Sequence, residues 1–353
     1  MSMRLHIDSL IDYGGFGRVY VGQVKHSGRL PVKSKVALKK IHVTKHVKNP
    51  VLLHEAAALL MLKGHKSIPA VFAWGRSQYY EYLALQLLGS SITNFSHTPT
   101  MRNLIAITCQ MLDAMEHVHK HHIIHGDIKP DNFLFGTGQD EGRIYLIDYG
   151  LAKLYADPLT LKHIPDGKIP ALRGTPLYAS LNMHYHRMPS RRDDMESLAY
   201  SIIKLLRGSL PWKDANRAEQ LPIKATWTGP ALCGGYSPVF GEFLEYARGM
   251  QFEEAPDYKN WRARFRSLVS VEGEPLLYDS SDRNPPLVGS ISGSDRPSAS
   301  QPDPPPDSED EDSLPDSDDG WIPTSSWPAP ERVKEEDLLG NEKGGDSARA
   351  RDI

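Results

Sequence analysis

The stretch HGDIKPDN at residues 125–132 places a carboxylate (Asp127), an ammonium (Lys129) and an amide (Asn132) close together. A second carboxylate, Asp148, follows in the run IDYG at residues 147–150. Phosphoryl transfer from ATP needs a carboxylate that orients the attacking hydroxyl, a cation beside the moving phosphoryl group and oxygen ligands for Mg²⁺. The spacing therefore predicts that Asp127 and Lys129 are catalytic residues. It also predicts that Asn132 and Asp148 are the metal ligands.

A further lysine stands in an apolar strand pattern, because Lys39 ends the run VALK at residues 36–39. A buried ammonium needs a partner, and Glu55 in the following helical run is the suitable carboxylate. We expect the pair of Lys39 and Glu55 to hold the α- and β-phosphates of ATP, so both count as catalytic residues. Lys40 is the neighbouring alternative, but alternation along a strand turns it to the opposite face.

A glycine-rich turn at residues 11–20 is typical of a hairpin that covers phosphate groups with backbone N–H groups. Asp12 occupies the first glycine position of this pattern, which favours weaker ATP affinity. The run at residues 82–88 should lead into a connector that binds the adenine ring through its backbone. The predicted nucleotide contacts are Gly14, Gly15, Gly17, Val19, Ala37, Lys39, Leu85, Gln86 and Leu87.

Histidines are frequent around the stretch at residues 125–132. We expect His125 to pack on the core side and brace the loop, while His121 and His122 face solvent. A metal site made of histidines is the alternative interpretation of this run.

The elements that must position these residues divide the chain into two parts. Strand patterns at residues 18–24, 35–41 and 82–88, with a helical pattern at 52–62, come first. Helical patterns at residues 104–119, 195–206, 240–250 and 261–268 follow. The sequence therefore predicts an α+β fold with a β-rich lobe at about residues 7–88 and an α-helical lobe at about residues 89–272.

The composition excludes several classes of protein. Cys109 and Cys233 are the only cysteines among 353 residues, which excludes a disulfide framework and favours a reducing compartment. The first residues lack the apolar run of a signal peptide. No stretch reaches the ~20 apolar residues of a membrane helix. We expect a cytoplasmic or nuclear protein without a membrane partner, and no motif points to nucleic acid.

The chain changes character near residue 273. Residues 273–353 carry 20 acidic and 7 basic side chains, a net charge of −13, whereas the preceding part carries +10. This segment is rich in serine and proline, and its few apolar residues predict disorder from residue 279. The charge split suggests acidic or phosphorylated partners, or a tail that binds its own lobes; a solubilising tail is the alternative. Trp321 and Trp327 are either anchors for such binding or there by chance.

The chain carries five further motifs: LLG at residues 87–89, GTPLYASLN at 174–182, SRRDDMES at 190–197, GSLPW at 208–212 and FEEAPDY at 252–258. With these motifs the chain resembles eukaryotic protein kinases, and more narrowly the casein kinase 1 superfamily. Family members usually carry arginine at the position of Gly126 and phenylalanine at that of Tyr149; in both respects the chain is similar to the sister vaccinia-related kinases.

The resemblance implies a bilobal protein kinase fold over about residues 7–272, followed by a disordered acidic tail at residues 273–353. It implies ATP and Mg²⁺ as cofactors and proteins as substrates. Lys129 two positions after Asp127 is the serine/threonine-kinase pattern, so Ser and Thr are the expected acceptors. Because Gly126 replaces the arginine that anchors a phosphorylated loop, we expect activity without phosphorylation between residues 151 and 175. Residues 216–230 resemble the family poorly.

The resemblance also implies a preference for acidic or phosphorylated segments before the acceptor. Arg191 and Arg192 are candidates for the anion pocket, since arginine binds phosphate bidentately; pairing with the carboxylates at 193, 194 and 196 is the alternative. Ser308, Ser313 and Ser317 lie among acidic residues in the tail. The tail is therefore a candidate pseudosubstrate that docks on the basic part of the chain, and autophosphorylation would strengthen this docking.

Two other function classes compete with an active protein kinase. A pseudokinase scaffold would use the same fold for binding, and Asp12 favours it, while the full catalytic set opposes it. A kinase of small molecules would share the same loops. The segment at residues 174–182, which resembles a platform for peptides, argues against the second alternative.

Overall fold

The computed structural model describes residues 3–14, 17–26, 34–43, 51–77, 79–94, 99–270 and 276–283. Gly15 and the acidic segment beyond residue 283 lie outside the described residues, and with them Ser308, Ser313, Ser317, Trp321 and Trp327.

An antiparallel five-stranded sheet in the order β1-β2-β3-β5-β4 forms the N-terminal lobe. Alternation along β3 buries Val36 and Leu38 on one face with Ala73 and Ala84, which leaves Lys39 on the other face. The strands are β1 (Met3–Gly14), β2 (Gly17–His26), β3 (Ser34–His42), β4 (Val71–Arg76) and β5 (Tyr80–Gln86).

One helix, α1 (Val51–Met61), packs against β4 and β5 and buries Leu52 and Leu59. Its first turn contains no acidic residue. The buried carboxylate of Glu81 on β5 accepts a hydrogen bond from the Leu52 backbone N–H at 3.0 Å instead. A carboxylate at a helix N-terminus is favourable, so the sheet itself fixes the start of the helix that carries Glu55.

The C-terminal lobe is helical, with four short strands around the predicted catalytic stretch. Its helices are α2 (Met101–Lys120), α3 (Leu181–His184), α4 (Arg191–Arg207), α5 (Arg217–Thr226), α6 (Gly229–Leu232), α7 (Pro238–Gly249) and α8 (Tyr258–Arg266). Its strands are β6 (Ile123–Ile124), β7 (Phe133–Phe135), β8 (Ile144–Leu146) and β9 (Lys153–Leu154), paired as β6 with β9 and β7 with β8.

The core of this lobe surrounds α2 and α4, whose apolar faces are buried along most of their length. Thr100 caps α2 by accepting a hydrogen bond from the Asn103 N–H at 3.2 Å. At the start of α4, the Asp193 carboxylate accepts the Ser190 N–H at 2.8 Å. Gly208, with φ +82°, ends α4 in the left-handed conformation that glycine adopts most readily.

The predicted α+β architecture is confirmed, with boundaries displaced by a few residues. The strand expected at residues 82–88, for example, is β5 and ends at Gln86. Residues 276–283, which the sequence analysis placed in the tail, pack against α2: the side chain of Asn103 donates to the carbonyls of Asp279 and Asp282 at 2.8 and 3.0 Å. Among the described residues, no helix is long and apolar enough to cross a membrane.

Candidate active site

Lys39 of the N-terminal lobe contacts one carboxylate from each lobe. Its ammonium donates to Glu55 Oε2 at 2.7 Å and to Asp148 Oδ1 at 2.9 Å, and both Lys39 and Glu55 are buried. β3 supplies the lysine, α1 the glutamate, and the loop after β8 the aspartate. The predicted pair of Lys39 and Glu55 is therefore present, and the sequence analysis did not anticipate that Asp148 shares the same ammonium.

Lys40 lies on the other face, as alternation predicts, with its ammonium 3.7 Å from the centre of the Tyr80 ring. Burial alone would lower the pKa of Lys39, but the carboxylates of Glu55 and Asp148 raise it above its usual value. Burial would raise the pKa of Asp148, and the neighbouring Lys39 ammonium lowers it instead. The site therefore holds a charged ammonium against an ionised Asp148.

Asp127 is bound through both of its carboxylate oxygens. Oδ2 accepts a hydrogen bond from Lys129 Nζ at 2.7 Å, and Oδ1 accepts the backbone N–H of Thr175 at 2.7 Å. Lys129 Nζ also donates to the Thr175 hydroxyl at 2.9 Å. Both side chains thus contact the same residue, Lys129 through the Thr175 hydroxyl and Asp127 through the Thr175 N–H.

Asn132 and Asp148 provide the oxygen atoms suited to Mg²⁺. The side-chain N–H of Asn132 donates to the Asp127 carbonyl at 2.8 Å, which fixes its amide so that the oxygen remains for a ligand. Ile147, next to Asp148, donates its N–H to the Asn132 carbonyl at 2.9 Å. Asp148 has φ +66°, a left-handed conformation that Asp tolerates better than most residues and that concentrates at functional sites.

A buried aspartate on α4, Asp194, binds the backbone of the stretch at residues 125–132. Its carboxylate accepts the backbone N–H groups of His125 at 2.7 Å and Gly126 at 2.9 Å, and it bonds His119 Nε2 at 3.0 Å. His125 is fully buried, as expected, with its ring 4.9 Å from that of Tyr149 and Nε2 3.1 Å from the Ile147 carbonyl. The loop that bears Asp127 is therefore attached rigidly to the core.

The nucleotide-facing residues that the sequence predicts lie on neighbouring strands. Val19 pairs with Lys39 across β2 and β3, while Ala37 pairs with Leu85 across β3 and β5. Gly14 pairs with Gly17 across the turn, where a Cβ on Gly17 would clash with the Lys40 carbonyl and the Ile41 side chain. Glycine is thus required where the turn meets β3. Asp12 is exposed on β1 opposite Val19.

The connector after β5 refines one expectation. The Gln86 backbone N–H donates to the Ala70 carbonyl at 2.9 Å, so that donor is not free for adenine. In the described part of the chain, the backbone N–H groups of Leu87 and Leu88 form no hydrogen bond. A contact of adenine with the Gln86 backbone would therefore use its carbonyl, while the N–H groups of Leu87 and Leu88 are the donors that the connector offers.

A family model described as the protein kinase domain matches residues 5–228, which is more than half of the chain. The chain belongs to the protein kinase family. The match covers the whole sheet lobe, the catalytic stretch and the segment at residues 174–182.

The segment of the kinase that follows Thr175 is fixed by unmodified side chains. Trp212 Nε1 donates to the Leu177 carbonyl at 2.8 Å. The Ser180 hydroxyl donates to Asp193 Oδ1 at 2.6 Å, and the Leu181 N–H donates to Glu196 Oε1 at 3.1 Å. Residues 180–182 are serine, leucine and asparagine and contain no carboxylate. The carboxylates that bind this segment, Asp193 and Glu196, lie on α4.

Two glycines allow the catalytic stretch and this segment of the kinase to approach each other closely. Gly174 has φ +78°, and a Cβ there would lie 2.6 Å from the Gly126 carbonyl and 3.2 Å from Asp127 Oδ1. Gly126 has φ +79°, and its Cβ would lie 3.0 Å from the Leu151 carbonyl. Both positions favour glycine, so Gly126 relieves strain that arginine at this position would introduce.

The two arginines predicted for an anion pocket have different surroundings in the kinase domain. Arg191 donates to the Tyr155 hydroxyl at 3.2 Å and to the Glu253 carbonyl, and its guanidinium lies over the Tyr155 ring. Arg192 lies over the Phe252 ring, with Nε 3.7 Å from Asp193 Oδ2, and its buried Nη2 has no hydrogen-bond partner among the described residues. The alternative of pairing with a carboxylate at 193, 194 or 196 is therefore seen for Arg192 with Asp193, and the anion pocket stays a prediction.

Two expectations about histidines are wrong. His121 and His122 are half-buried rather than directed to solvent. His121 bonds the His117 carbonyl through Nδ1 at 2.8 Å because it follows the last turn of α2, and His122 packs against Tyr155.

Sequence reasoning also missed Thr175 and Asp194 as parts of the site of this kinase. Thr175 lies in the Gly-Thr-Pro sequence at residues 174–176, within a motif that carries the resemblance. Its position directly after Gly174 was the available signal that it belongs to the site. Asp194 follows another aspartate at the start of a helix, where a carboxylate usually caps the helix itself. Its role depends on a long-range contact that no local pattern reveals.

Proposed function

We propose that this kinase transfers the γ-phosphoryl group of ATP to serine and threonine hydroxyls of proteins, as members of the casein kinase 1 superfamily do. The observation that carries the proposal is the contact among Lys129, Asp127 and Thr175. A threonine hydroxyl of the chain already lies within hydrogen-bond distance of Lys129, beside the Asp127 carboxylate. The same pair has the charges and the spacing to bind the hydroxyl of an incoming acceptor.

The residues of the site divide the work as follows. Asp127 orients the acceptor hydroxyl and takes its proton as the oxygen–phosphorus bond forms. Lys129 offsets negative charge on the phosphoryl oxygens, and Lys39, kept charged by Glu55, holds the remaining phosphates. Mg²⁺, when bound by Asn132 and Asp148, supplies further positive charge at the phosphates.

The kinase should be active without phosphorylation of its own loop. Position 126 carries glycine and not the arginine that would bind a phosphate on residues 151–175. The segment that follows is already bound by Trp212, Asp193 and Glu196. A phosphate would add a charge where Gly126 offers no cation. Intact-mass measurement of the active, dephosphorylated protein tests this proposal, and inactivity until a site at 151–175 is modified would refute it.

We further propose that substrates carry acidic or phosphorylated segments and that the acidic tail competes with them. The support is the charge of +10 on the residues before 273 against −13 on the rest. Peptide phosphorylation by the full chain should therefore rise with moderate salt, which screens attraction between exposed charges. A chain ending at residue 283, which keeps the packed residues 276–283, should lack this rise; equal activity of both chains at low salt would refute the competition.

The first experiment measures transfer of labelled phosphate from Mg²⁺-ATP to an acidic, serine-containing protein such as casein. Lys39→Met and Asp148→Ala should abolish transfer. Lys40→Met is the matched control, because it removes the neighbouring ammonium on the opposite face of β3. Phosphoamino-acid analysis of the product tests the assignment to serine and threonine. Absence of transfer by folded wild-type protein would instead favour a pseudokinase scaffold, with exposed Asp12 as the first position to change.

A further inference from the structure

Lys224 on α5 is a fully buried lysine that the phosphoryl-transfer site does not use. Its ammonium donates to the backbone carbonyls of Pro176 and Ala179, both at 2.7 Å. His184 Nε2 lies 3.1 Å from the same ammonium and 3.2 Å from the Pro176 carbonyl. Lys224 therefore binds two carbonyls of one segment inside the domain.

The two carbonyls belong to the segment that begins at the catalytic residues. Pro176 directly follows Thr175, whose N–H and hydroxyl bond Asp127 and Lys129. Residues 175–177 are half-buried, whereas Lys224 is fully buried. Lys224 thus binds, from inside the domain, a segment that starts beside Asp127 and is partly accessible to solvent.

The surroundings of Lys224 restrict its movement. Its ammonium lies 5.0 Å from the centre of the Tyr200 ring and 5.4 Å from that of Trp212, distances at which a cation is attracted to an aromatic face. Burial lowers the pKa of Lys224, Glu196 raises it and Arg248 lowers it further, with a result of about 7. Burial and the Lys224 charge lower the pKa of His184 to about 4, so His184 is neutral near pH 7.

We propose that Lys224 is a positioning residue for the protein substrate, because its ammonium fixes the Pro176 and Ala179 carbonyls and so shapes the surface on which the acceptor segment lies. The proposal rests on the proposed function as a protein kinase. Loss of the ammonium removes the donor that the Pro176 and Ala179 carbonyls share and leaves His184 Nε2 beside the Pro176 carbonyl alone, so the segment shifts while the Lys39 site stays intact. Lys224 therefore affects the binding of protein substrate and not the binding of ATP.

The test compares wild type with Lys224→Met, in steady-state phosphorylation of an acidic peptide that contains one serine. We expect KM for the peptide to rise about tenfold or more. KM for ATP and peptide-independent ATP hydrolysis should stay within about twofold, because Lys224 contacts no group of the ATP site. Lys213→Met, the same change at an exposed lysine, is the matched control and should leave all these values unchanged.

An unchanged KM for the peptide would overturn the proposal. Equal increases in both KM values would also overturn it, because they indicate general damage. ATP hydrolysis without any transfer to peptide by wild type would refute the proposed function first, and the positioning role with it. Hydrolysis and transfer are therefore measured on the same preparations.

A second measurement keeps Lys224 and applies if Lys224→Met does not fold. The charged or titratable groups that face Lys224 are His184 from α3, Glu196 and Tyr200 from α4, and Arg248 from α7. The pKa of Tyr200 is raised well above 10 by burial, and that of Arg248 is raised by Tyr200 against the effect of burial, so neither changes charge near neutral pH. Asp193 on α4 binds the Ser180 hydroxyl of the same segment, and burial raises its pKa to about 7, so the measurement is made on wild type and on Asp193→Asn. KM for the peptide should rise between pH 6.5 and 9 in both proteins as Lys224 loses its proton, while KM for ATP stays constant. A constant KM for the peptide in Asp193→Asn over this range would overturn the proposal.

Discussion

Replacement of Asp194 by asparagine should separate the attachment of the catalytic loop from its chemistry. The carboxylate of Asp194 touches no predicted substrate-binding group, yet it accepts the backbone N–H groups of His125 and Gly126 and bonds His119. Asparagine keeps the shape of the side chain but has one oxygen instead of two. Its NH₂ group must then face a donor, so at least one buried N–H loses its acceptor.

The magnitude follows from the number and kind of contacts that are lost. A hydrogen bond to a charged group contributes about 1.5–3 kcal/mol, and a buried donor without a partner costs about 1–3 kcal/mol. Loss of one such bond and weakening of a second should lower the free energy of unfolding by about 2–4 kcal/mol. In a domain of this size, that corresponds to a decrease in Tm of roughly 5–12 °C. The value of kcat should fall as well, because Asp127 directly follows Gly126 in the loop.

The assay combines thermal unfolding with steady-state kinetics for wild type, Asp194→Asn and the control Asp214→Asn, an exposed aspartate. Burial would raise the pKa of Asp194, but His119 lowers it below its usual value. A lowered carboxyl pKa gives stability that is present above the unfolded value and disappears as pH falls towards the folded value. The difference between wild type and Asp194→Asn should therefore shrink below about pH 4. A Tm decrease below about 2 °C at pH 7, or an unchanged kcat, would refute the reasoning.

Three further predictions concern groups near the same loop. Gly126→Ala should destabilise the kinase by about 1–2 kcal/mol in chemical unfolding, because φ is +79° and a Cβ would lie 3.0 Å from the Leu151 carbonyl. Tyr149→Phe should stabilise it by about 1 kcal/mol, because the buried hydroxyl has no hydrogen-bond partner among the described residues; a lower Tm would contradict this. Burial raises the pKa of Asp193 to about 7, so the folded protein binds a proton that the unfolded chain releases above about pH 4. The Tm of wild type relative to Asp193→Asn should therefore fall from pH 5 to pH 8, and a constant difference would contradict the pKa.

The residues of the candidate site could be predicted from sequence because they cluster in short runs. Asp127, Lys129 and Asn132 lie in one stretch, and local spacing alone brings them near one another. The pair of Lys39 and Glu55 was predictable for a different reason, since a buried ammonium requires a carboxylate and the next helix offered one. The sheet and the long helices followed from hydrophobic periodicity.

The supports of the site could not be predicted in the same way. Asp194, Glu196 and Lys224 look like ordinary polar residues of helices in the sequence, and each acts on a segment far away in the chain. The role of Arg191 could not be chosen from sequence either, because an arginine suited to phosphate is equally suited to a tyrosine ring and a backbone carbonyl. Such choices depend on packing, which periodicity does not encode.

Under the proposed function, these supports take the place of an arginine before Asp127. A cation at that position would bind a phosphate on the neighbouring loop and fix the loop only when the phosphate is present. Here the Thr175 N–H binds Asp127 directly, Lys224 binds the carbonyls beyond it, and Glu196 binds the end of the segment. Buried bonds of this kind form when the chain folds and cost nothing further at the time of reaction. Glycine at 126 then has an advantage of its own, since it adopts φ +79° without the strain that a side chain would add.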